Sequence, residues 1–246
     1  MHNALVTTNE IMAEAPVRLG ADESRQMRSV LRVTIGDETC LLDGHGHKRL
    51  ATVADVGKAG VICAMHGSVE TLPRPVVNIT LFQCVAKPAR MDWLIEKAVE
   101  LGVSTIVPIV SSRSVVRIVP GEKQDRWQRI AESALRQCGS GWLPEIESPV
   151  KWDEALEKMQ HFDRSIFIGA LSGNTRPLGD VLMEMRVAGS QKNIGWLIGP
   201  EGDLSPEEFV SALALSCAVP VSLGPQVLRV ETAALYGVSA TMAMLG

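Results

Sequence analysis

The chain has 246 residues, 46% hydrophobic and 21% charged, with a formal net charge of −4. That balance describes a soluble globular protein with a sizeable core, and no apolar run approaches the roughly 20 residues that span a bilayer. It excludes indiscriminate coating of nucleic acid but not RNA held through one basic patch: Cys84–Trp142 carries nine Lys/Arg against six Asp/Glu, and Leu143–Gly246 seven against thirteen.

The N-terminal stretch MHNALVTTNEIMAEAP has no basic segment followed by an apolar one, so no export signal is expected. Five scattered cysteines, with no Cys-x-x-Cys pair, predict reduced thiols in a cytoplasm rather than a disulfide framework or a zinc site. Residues 1–72 alternate short apolar runs with Gly-Asp, Asp-Gly and Gly-Lys turns, which predicts a small β-domain. Pro73 and Pro75 around Arg74 make a stiff boundary, and residues 73–246 form a second domain with a different period.

That second domain begins with a strand, VVNITLFQCVA, followed by a helix, MDWLIEKAVELG. The helix has Leu94, Ile95, Ala98 and Leu101 on one face and Gly102 at its C-terminus. STIVPIVSS is the next buried strand. GEKQDRWQRIAESALRQCG is a helix with an apolar stripe of Trp127, Ile130, Ala131, Ala134, Leu135 and Cys138 and with Arg126, Arg129 and Arg136 on the other side. RSIFIGA, NIGWLIG and CAVPVSLG are three further buried strands. The closing helix carries Leu235, Val238, Met242 and Leu245 at spacings of three and four. Strands alternating with helices predict an α/β domain around a parallel sheet.

Ligands of open α/β sheets sit beyond the carboxyl ends of strands. Three such ends carry glycine here, FIGALSGN, LIGPEGDL and SLGPQVLRVET, and the last two share one design: apolar run, Gly-Pro, polar turn, helix. In LIGPEGDLSPEEF, Ser205, Pro206 and Glu208 form a capping box at a helix start. Gly199 and Gly202 permit either a plain tight turn or a ligand close to the backbone. No Rossmann fingerprint, Walker loop or His-Glu-x-x-His motif is present. None of the five histidines falls near the Gly-Pro loops, which disfavours a histidine-activated nucleophile there. His45 and His47 in DGHGH read as a solvated turn or a metal pair, the turn being the expectation. Arg229, with no Lys or Arg after it and none back to Lys192, reads equally as a salt-bridge partner or an anion anchor. The arginine side of the GEKQDRWQRI helix reads as a solvated face or, with Lys87, Arg90, Arg113 and Arg117, as a phosphate surface.

Taken together in this order and spacing, ARMDWLIEKAVELGV, RWQRIAESALRQCG, LIGPEGDLSPEE and LGPQVLRVETA resemble the RsmE family, the 16S ribosomal RNA uridine N3-methyltransferases of the SPOUT superfamily. MRSVLRVTIGDETCLLDG is similar to that family's N-terminal PUA-like β-barrel. The resemblance runs from about Leu19 to the end. It implies a PUA-like RNA-binding domain over 1–72 and a methyltransferase domain over 73–246. The latter would be an α/β fold with a C-terminal trefoil knot over roughly 166–235. It also implies S-adenosylmethionine as cofactor, 16S rRNA or the small subunit as partner, a homodimer, a cytoplasmic location, and neither metal nor membrane.

Carried over by residue, the resemblance puts the cofactor against Ala170, Leu171, Ile198, Gly199, Pro200, Glu201 and Gly202. Leu223, Gly224, Val227, Leu228 and Ala233 close it from the other side. Arg229, Glu231 and Thr232 become the catalytic set, with Glu231 taking the N3 proton of uridine and Arg229 holding a uracil carbonyl. Arg28, Arg32, Lys87, Arg90, Arg113, Arg117, Arg126 and Arg136 become the RNA contacts. The chain departs from the family pattern at Asp203, Gln226 and Val230, where Gly, Arg and Thr are usual, at Ser140, where Arg is common, and at Arg25–Gln26, where histidine is usual. Two alternatives stand beside this reading: the same fold and cofactor with another acceptor, such as a ribose 2′-hydroxyl or another base, and a knotted RNA-binding protein without turnover.

Overall fold

Contacts in the computed structural model divide the chain into two units, Met1–Arg74 with Glu132–Leu143, and Pro75–Ala131 with Pro144–Gly246. The structure describes residues 1–114, 122–162, 165–170, 175–189 and 193–246.

The first unit contains β1 (His2–Leu5), α1 (Thr8–Met12), β2 (Val17–Arg18), α2 (Ala21–Arg25) with a π-helical turn Gln26–Val30, β3 (Glu38–Leu42), β4 (His47–Gly57) and β5 (Gly60–Thr71). Its sheet runs β1-β3-β4-β5-β2, with β1 parallel to β3 and the other pairings antiparallel. The punctuation in the sequence falls where the chain reverses: Asp43-Gly44 separates β3 from β4, and Gly57 pairs with Gly60 across the β4–β5 turn. The small helices lie outside the strand pattern expected of this region. For α1 the signal is a capping box, with Thr7 N–H donating to Glu10 Oε2 at 2.8 Å and Glu10 N–H to Thr7 Oγ1 at 3.3 Å.

The residues Glu132–Leu143 complete this unit. Trp142 pairs by an antiparallel bridge with His45, its indole N–H donates to Pro73 O at 3.0 Å, and Arg74 lies 4.4 Å over its ring. Gly46, at φ +94°, gives the ring its seat, because a Cβ there would overlap the indole carbons. The linker expected at Pro73–Pro75 is therefore held at its start by a tryptophan about seventy residues away.

The second unit contains β6 (Asn78–Cys84), α3 (Pro88–Glu100), β7 (Thr105–Val110), α4 (Glu122–Cys138), β8 (Glu145–Ile146), β9 (Val150–Lys151), α5 (Trp152–Gln160), β10 (Ile166–Gly169), β11 (Arg176–Pro177), α6 (Leu178–Ala188), β12 (Asn193–Ile198), α7 (Pro206–Leu213), β13 (Ala218–Ser222) and α8 (Val230–Leu245). The last turns of α4 cluster with the first unit. The sheet runs β11-β13-β10-β12-β6-β7-β8, with β9 also beside β7, and every pairing is parallel. The α/β alternation in the sequence thus produces the parallel sheet it predicts. Both faces are covered, as parallel sheets require. Phe82, Cys84, Val107, Ile168 and Leu197 pack on one face under α5 and α7.

On the other face Trp196 is fully buried against Phe167, ring centroids 5.1 Å apart, and its indole donates to Thr241 Oγ1 at 3.1 Å. A Cβ on Gly237 would stand 2.8 Å from that indole, so α8 approaches the sheet only because the position is glycine. The buried residues of α8 are accordingly Val230, Glu231, Ala234, Gly237, Val238 and Thr241. Of the expected stripe, Val238 is buried while Leu235, Met242 and Leu245 are half-buried. Small side chains win the contact because a tryptophan already fills the space. In α4, Trp127, Ala131, Ala134 and Leu135 are buried as expected, but Cys138 is exposed. Gly102, at φ +77°, closes α3 in a Schellman motif: Val103 N–H reaches Ala98 O and Gly102 N–H reaches Val99 O, each at 3.0 Å.

Candidate functional site

Three strand ends of the second unit converge because β10 lies between β12 and β13. Ile168 is in register with Leu197 and Gly169 with Val221, and Ala170 N–H continues the ladder to Val221 O at 3.1 Å. The chain leaves β12 through Gly199–Leu204 and leaves β13 through Leu223–Leu228.

The first loop is braced from several sides. Ser205 and Glu208 form the expected capping box, and the remaining oxygen of Glu208 accepts Ser112 N–H at 2.7 Å. Asp203 adopts φ +60°, donates its N–H to Pro200 O at 2.9 Å and accepts Leu204 N–H on Oδ1 at 2.8 Å. Asp tolerates this left-handed geometry by such local bonding. Arg113 donates to Gly202 O at 2.9 Å and Leu204 O at 3.3 Å. The second loop turns at Gly224, φ +117°, whose N–H donates to Ser222 Oγ at 3.3 Å.

Between the loops lies a cavity of about 290 Å³. Ile198, Gly199, Pro200, Glu201 and Asp203 form one wall; Leu223, Gly224, Gln226, Val227 and Leu228 form the other. Gly169 and Ala170 come from the β10 end, Arg229, Val230 and Ala233 from the start of α8, and Arg90 from α3. The expected cofactor residues are thus brought together with two exceptions. Gly202 does not line the cavity, its carbonyl being turned to Arg113. Leu171 lies outside the described residues. Gly169, Asp203, Gln226 and Val230 extend the expected set; their signal is adjacency to the same strand ends.

The chemistry of this corner is set by charge. Arg229 is exposed at the N-cap of α8 and has no ion pair or side-chain hydrogen bond among the described residues. Of the two readings of this residue, the salt-bridge partner does not occur among them. Glu231 is buried in the first turn of α8, where the helix dipole favours a carboxylate. Thr232 is exposed beside it, and neither lines the cavity. Arg90 stands between two carboxylates: its Nη1 is 3.5 Å from Glu201 Oε1 and its Nε 3.8 Å from Glu231 Oε1. Glu201 Oε1 also accepts Lys87 N–H at 3.1 Å. The second oxygens of both carboxylates, Glu201 Oε2 and Glu231 Oε2, are buried with no partner among the described residues. Orphaned buried acceptors are costly in a protein interior and mark places where a ligand can supply the donor.

A ligand with an aromatic base, hydroxyls and an ammonium group fits this donor and acceptor set. Ile198, Leu223 and Leu228 offer an apolar slot, the glycine turns let backbone approach closely, and Glu201 brings a carboxylate to the cavity wall. No cysteine lines the cavity among the described residues, and burial pushes the Cys84 thiol, on β6 of the same sheet, up to about 12.

Most of the arginines read as phosphate contacts have protein partners. Arg126 forks onto Asp92, with Nη2 to Oδ2 at 2.5 Å. Arg136 pairs with Glu23 inside the first unit and is largely buried; burial pushes the Glu23 carboxyl up, against the pull of Arg136. Arg113 braces the first loop and Arg90 lines the cavity, as described above. Such pairings lie 34 to 141 residues apart in the chain, beyond the reach of a local pattern. Arg28 donates to Gly57 O at 2.9 Å while remaining at the surface, and Arg32, at φ +54°, and Lys87 are exposed. Arg117 lies outside the described residues.

In the first unit, DGHGH is an ordered turn organised by Asp43. Its Oδ1 accepts His45 N–H at 2.8 Å and His47 N–H at 3.0 Å, and its Oδ2 meets Thr8 Oγ1 at 2.8 Å and His47 Nδ1 at 2.7 Å. Burial pushes this carboxyl up, but the four hydrogen bonds outweigh it and hold the group below its ordinary value. No cluster of three or more metal-ligating side chains occurs among the described residues, and no helix among them is long and apolar enough to cross a membrane.

With this geometry in place, comparison with known proteins is specific. Residues 73–242 match the family model described as an RNA methyltransferase domain, and residues 19–64 the one described as an RNA methyltransferase PUA domain. The chain is 27% identical over 239 residues to the ribosomal RNA small subunit methyltransferase E of Bacillus subtilis, covering 95% of this chain and 92% of that one. It is 30% identical over 244 residues to the Synechocystis protein of the same name, covering 98% and 77%. Among solved structures, the ribosomal RNA small subunit methyltransferase E of Neisseria gonorrhoeae bound to S-adenosyl methionine superposes with a TM-score of 0.86 at 29% identity, covering 99% and 97%.

Proposed function

The chain belongs to the RsmE family of RNA methyltransferases, and from that premise we propose that it methylates N3 of a specific uridine in the 16S rRNA of the small subunit, using S-adenosylmethionine. The observation that carries this reading is the cavity between the two Gly-Pro loops, lined by an arginine and flanked by two carboxylate oxygens that have no partner among the described residues. Ala170, Ile198, Gly199, Pro200, Glu201, Leu223, Gly224, Val227, Leu228 and Ala233 would hold the cofactor, together with Gly202 of the first loop and Leu171, the residue after Ala170 in the sequence. The cofactor, when bound, supplies an electrophilic methyl group.

The residues of this chain do the rest. Methyl transfer by in-line displacement asks chiefly for positioning, which braced loops provide. The imide N3 of uridine must lose its proton to attack, and Glu231, with one oxygen free, accepts it directly or through water. Arg229, with no ion pair among the described residues, holds a uracil carbonyl and stabilises the charge that develops there. Thr232 completes the set at the exposed side of the helix.

Residues 1–72 serve as a PUA-like RNA-binding domain and 73–246 as the methyltransferase domain. Arg28, Arg32 and Lys87 are the exposed cations best placed to meet phosphate, with Arg126 available by exchange of its partner. The interleaved order β13-β10-β12 supports a trefoil knot over roughly 166–235. Trp93 on α3 and Tyr236 on α8, both about half exposed aromatics, support a homodimer. The location that follows is cytoplasmic.

The test is methyl incorporation from labelled S-adenosylmethionine into small subunits of a strain lacking the modification, with nucleoside analysis of the product. 3-Methyluridine is the expected product. A ribose-methylated or other base product would replace the acceptor, and no incorporation by cofactor-bound protein would leave an RNA-binding protein without turnover.

A further inference from the structure

Glu201 belongs to the first Gly-Pro wall of the cavity, Glu231 to the helix that forms its opposite side, and Arg90 to a third element, α3. One guanidinium faces both carboxylates, at 3.5 Å and 3.8 Å, and all three side chains are largely buried, with 32%, 17% and 11% of Arg90, Glu201 and Glu231 exposed. Two like charges in one poorly hydrated corner repel each other unless a cation lies between them. Arg90 has the span for this: its planar fork offers several donors along separate directions, whereas an ammonium offers one point charge. Its hold is also incomplete by design of the contacts, since it engages one oxygen of each carboxylate and leaves Oε2 of each unpartnered.

We infer that Arg90 is a positioning residue that ties Glu201 to Glu231, and so holds the first Gly-Pro loop against the start of α8, from which Arg229, Val230 and Ala233 line the cavity. This rests on the proposed methyl transfer for its catalytic consequence but not for its effect on ligand binding. The role differs from an RNA contact, the function that the residue's place in a basic segment suggests, and the two separate cleanly. A phosphate contact acts on substrate affinity and its salt dependence. A tether acts on the geometry of the bound state, where a displacement of about 1 Å can cost about 100-fold.

The experiment uses the full-length protein with R90A and R90K. Calorimetry with S-adenosylmethionine reads cofactor affinity, and steady-state kinetics on small subunits read kcat and KM separately. The tether predicts that R90A loses about 100-fold in kcat with little change in the subunit KM, and binds the cofactor more weakly. Added guanidinium at non-denaturing concentration restores part of both, whereas urea and sodium chloride at matched concentration do not. R90K, which retains charge without span, falls between R90A and wild type and also serves if R90A does not fold. A raised KM with unchanged kcat, or cofactor affinity equal to wild type without response to guanidinium, would overturn the tether. If the wild-type protein transfers no methyl group, the proposed function fails. The tether is then judged on cofactor affinity alone: weakened binding in R90A with guanidinium rescue supports it, and equal binding overturns it.

Discussion

Asp43 in the first unit is fully buried, and both of its oxygens are occupied, by two backbone N–H groups, a threonine hydroxyl and a histidine ring. In the second unit, Glu201 and Glu231 are nearly as buried, yet each holds only one oxygen against a partner. The same functional group is thus saturated in one place and half-filled in the other. A saturated carboxylate has nothing left to offer a ligand and builds a turn. A half-filled one bears the cost of an unmade hydrogen bond, which makes sense where something else comes to make it.

That contrast can be broken by substitution. The largest effect is expected at Arg229: R229A should lower kcat on small subunits about 100-fold while cofactor affinity is retained, since the side chain has no ion pair or side-chain hydrogen bond among the described residues. Full turnover in R229A would remove the residue from the catalytic set. Next comes D43A, which leaves four buried or half-buried donors without an acceptor and should cost the first unit about 3 kcal/mol, read as urea-dependent loss of protection in limited proteolysis. Little change would mean that water replaces the carboxylate and that saturation is not what holds the turn.

G237A should cost about 2 kcal/mol by driving a methyl group into Trp196, and by lifting the start of α8 it should weaken cofactor binding as well. Thermal melting followed by calorimetry separates the two consequences. The smallest effects concern pH. Asp43, held low in the folded state, contributes stability that is complete above its ordinary value of 3.8 and lost as pH falls through its folded value. Glu23, pushed up by burial, works with the opposite sign: its contribution is complete below 4.5 and lost as pH rises through its folded value. Acid melts should therefore lose their steepest limb in D43N, while E23Q flattens the slope above 4.5. The reverse pattern would contradict the hydrogen-bond assignments.

Local chemistry was legible in the sequence, and long-range charge pairing was not. The Ser205–Glu208 capping box and the Gly102 helix end are written within a few neighbouring residues, and the structure has both. The matching Gly-Pro loops pointed to one site because their design repeats, and their residues share one cavity. The arginines mislead because a guanidinium in sequence carries no mark of its partner: Glu201 and Glu231 lie 111 and 141 residues beyond Arg90. The buried face of α8 was hidden for a steric reason. A period of large apolar residues suggests a core stripe, but Trp196 takes the room and selects Gly237 and Ala234 instead.

The Trp142 bridge has a consequence for how the protein is made. Synthesis proceeds from the N-terminus, and the first unit lacks its closing segment until Trp142 and Leu143 have left the ribosome. By then β6, α3, β7 and α4 have already emerged. The early strands must wait, with the seat at Gly46 open, while a stretch destined for the other unit is threaded out ahead of the tryptophan that fills it. Folding of this chain is therefore interleaved in time, and a nascent chain arrested before residue 142 should remain open to protease in residues 1–74.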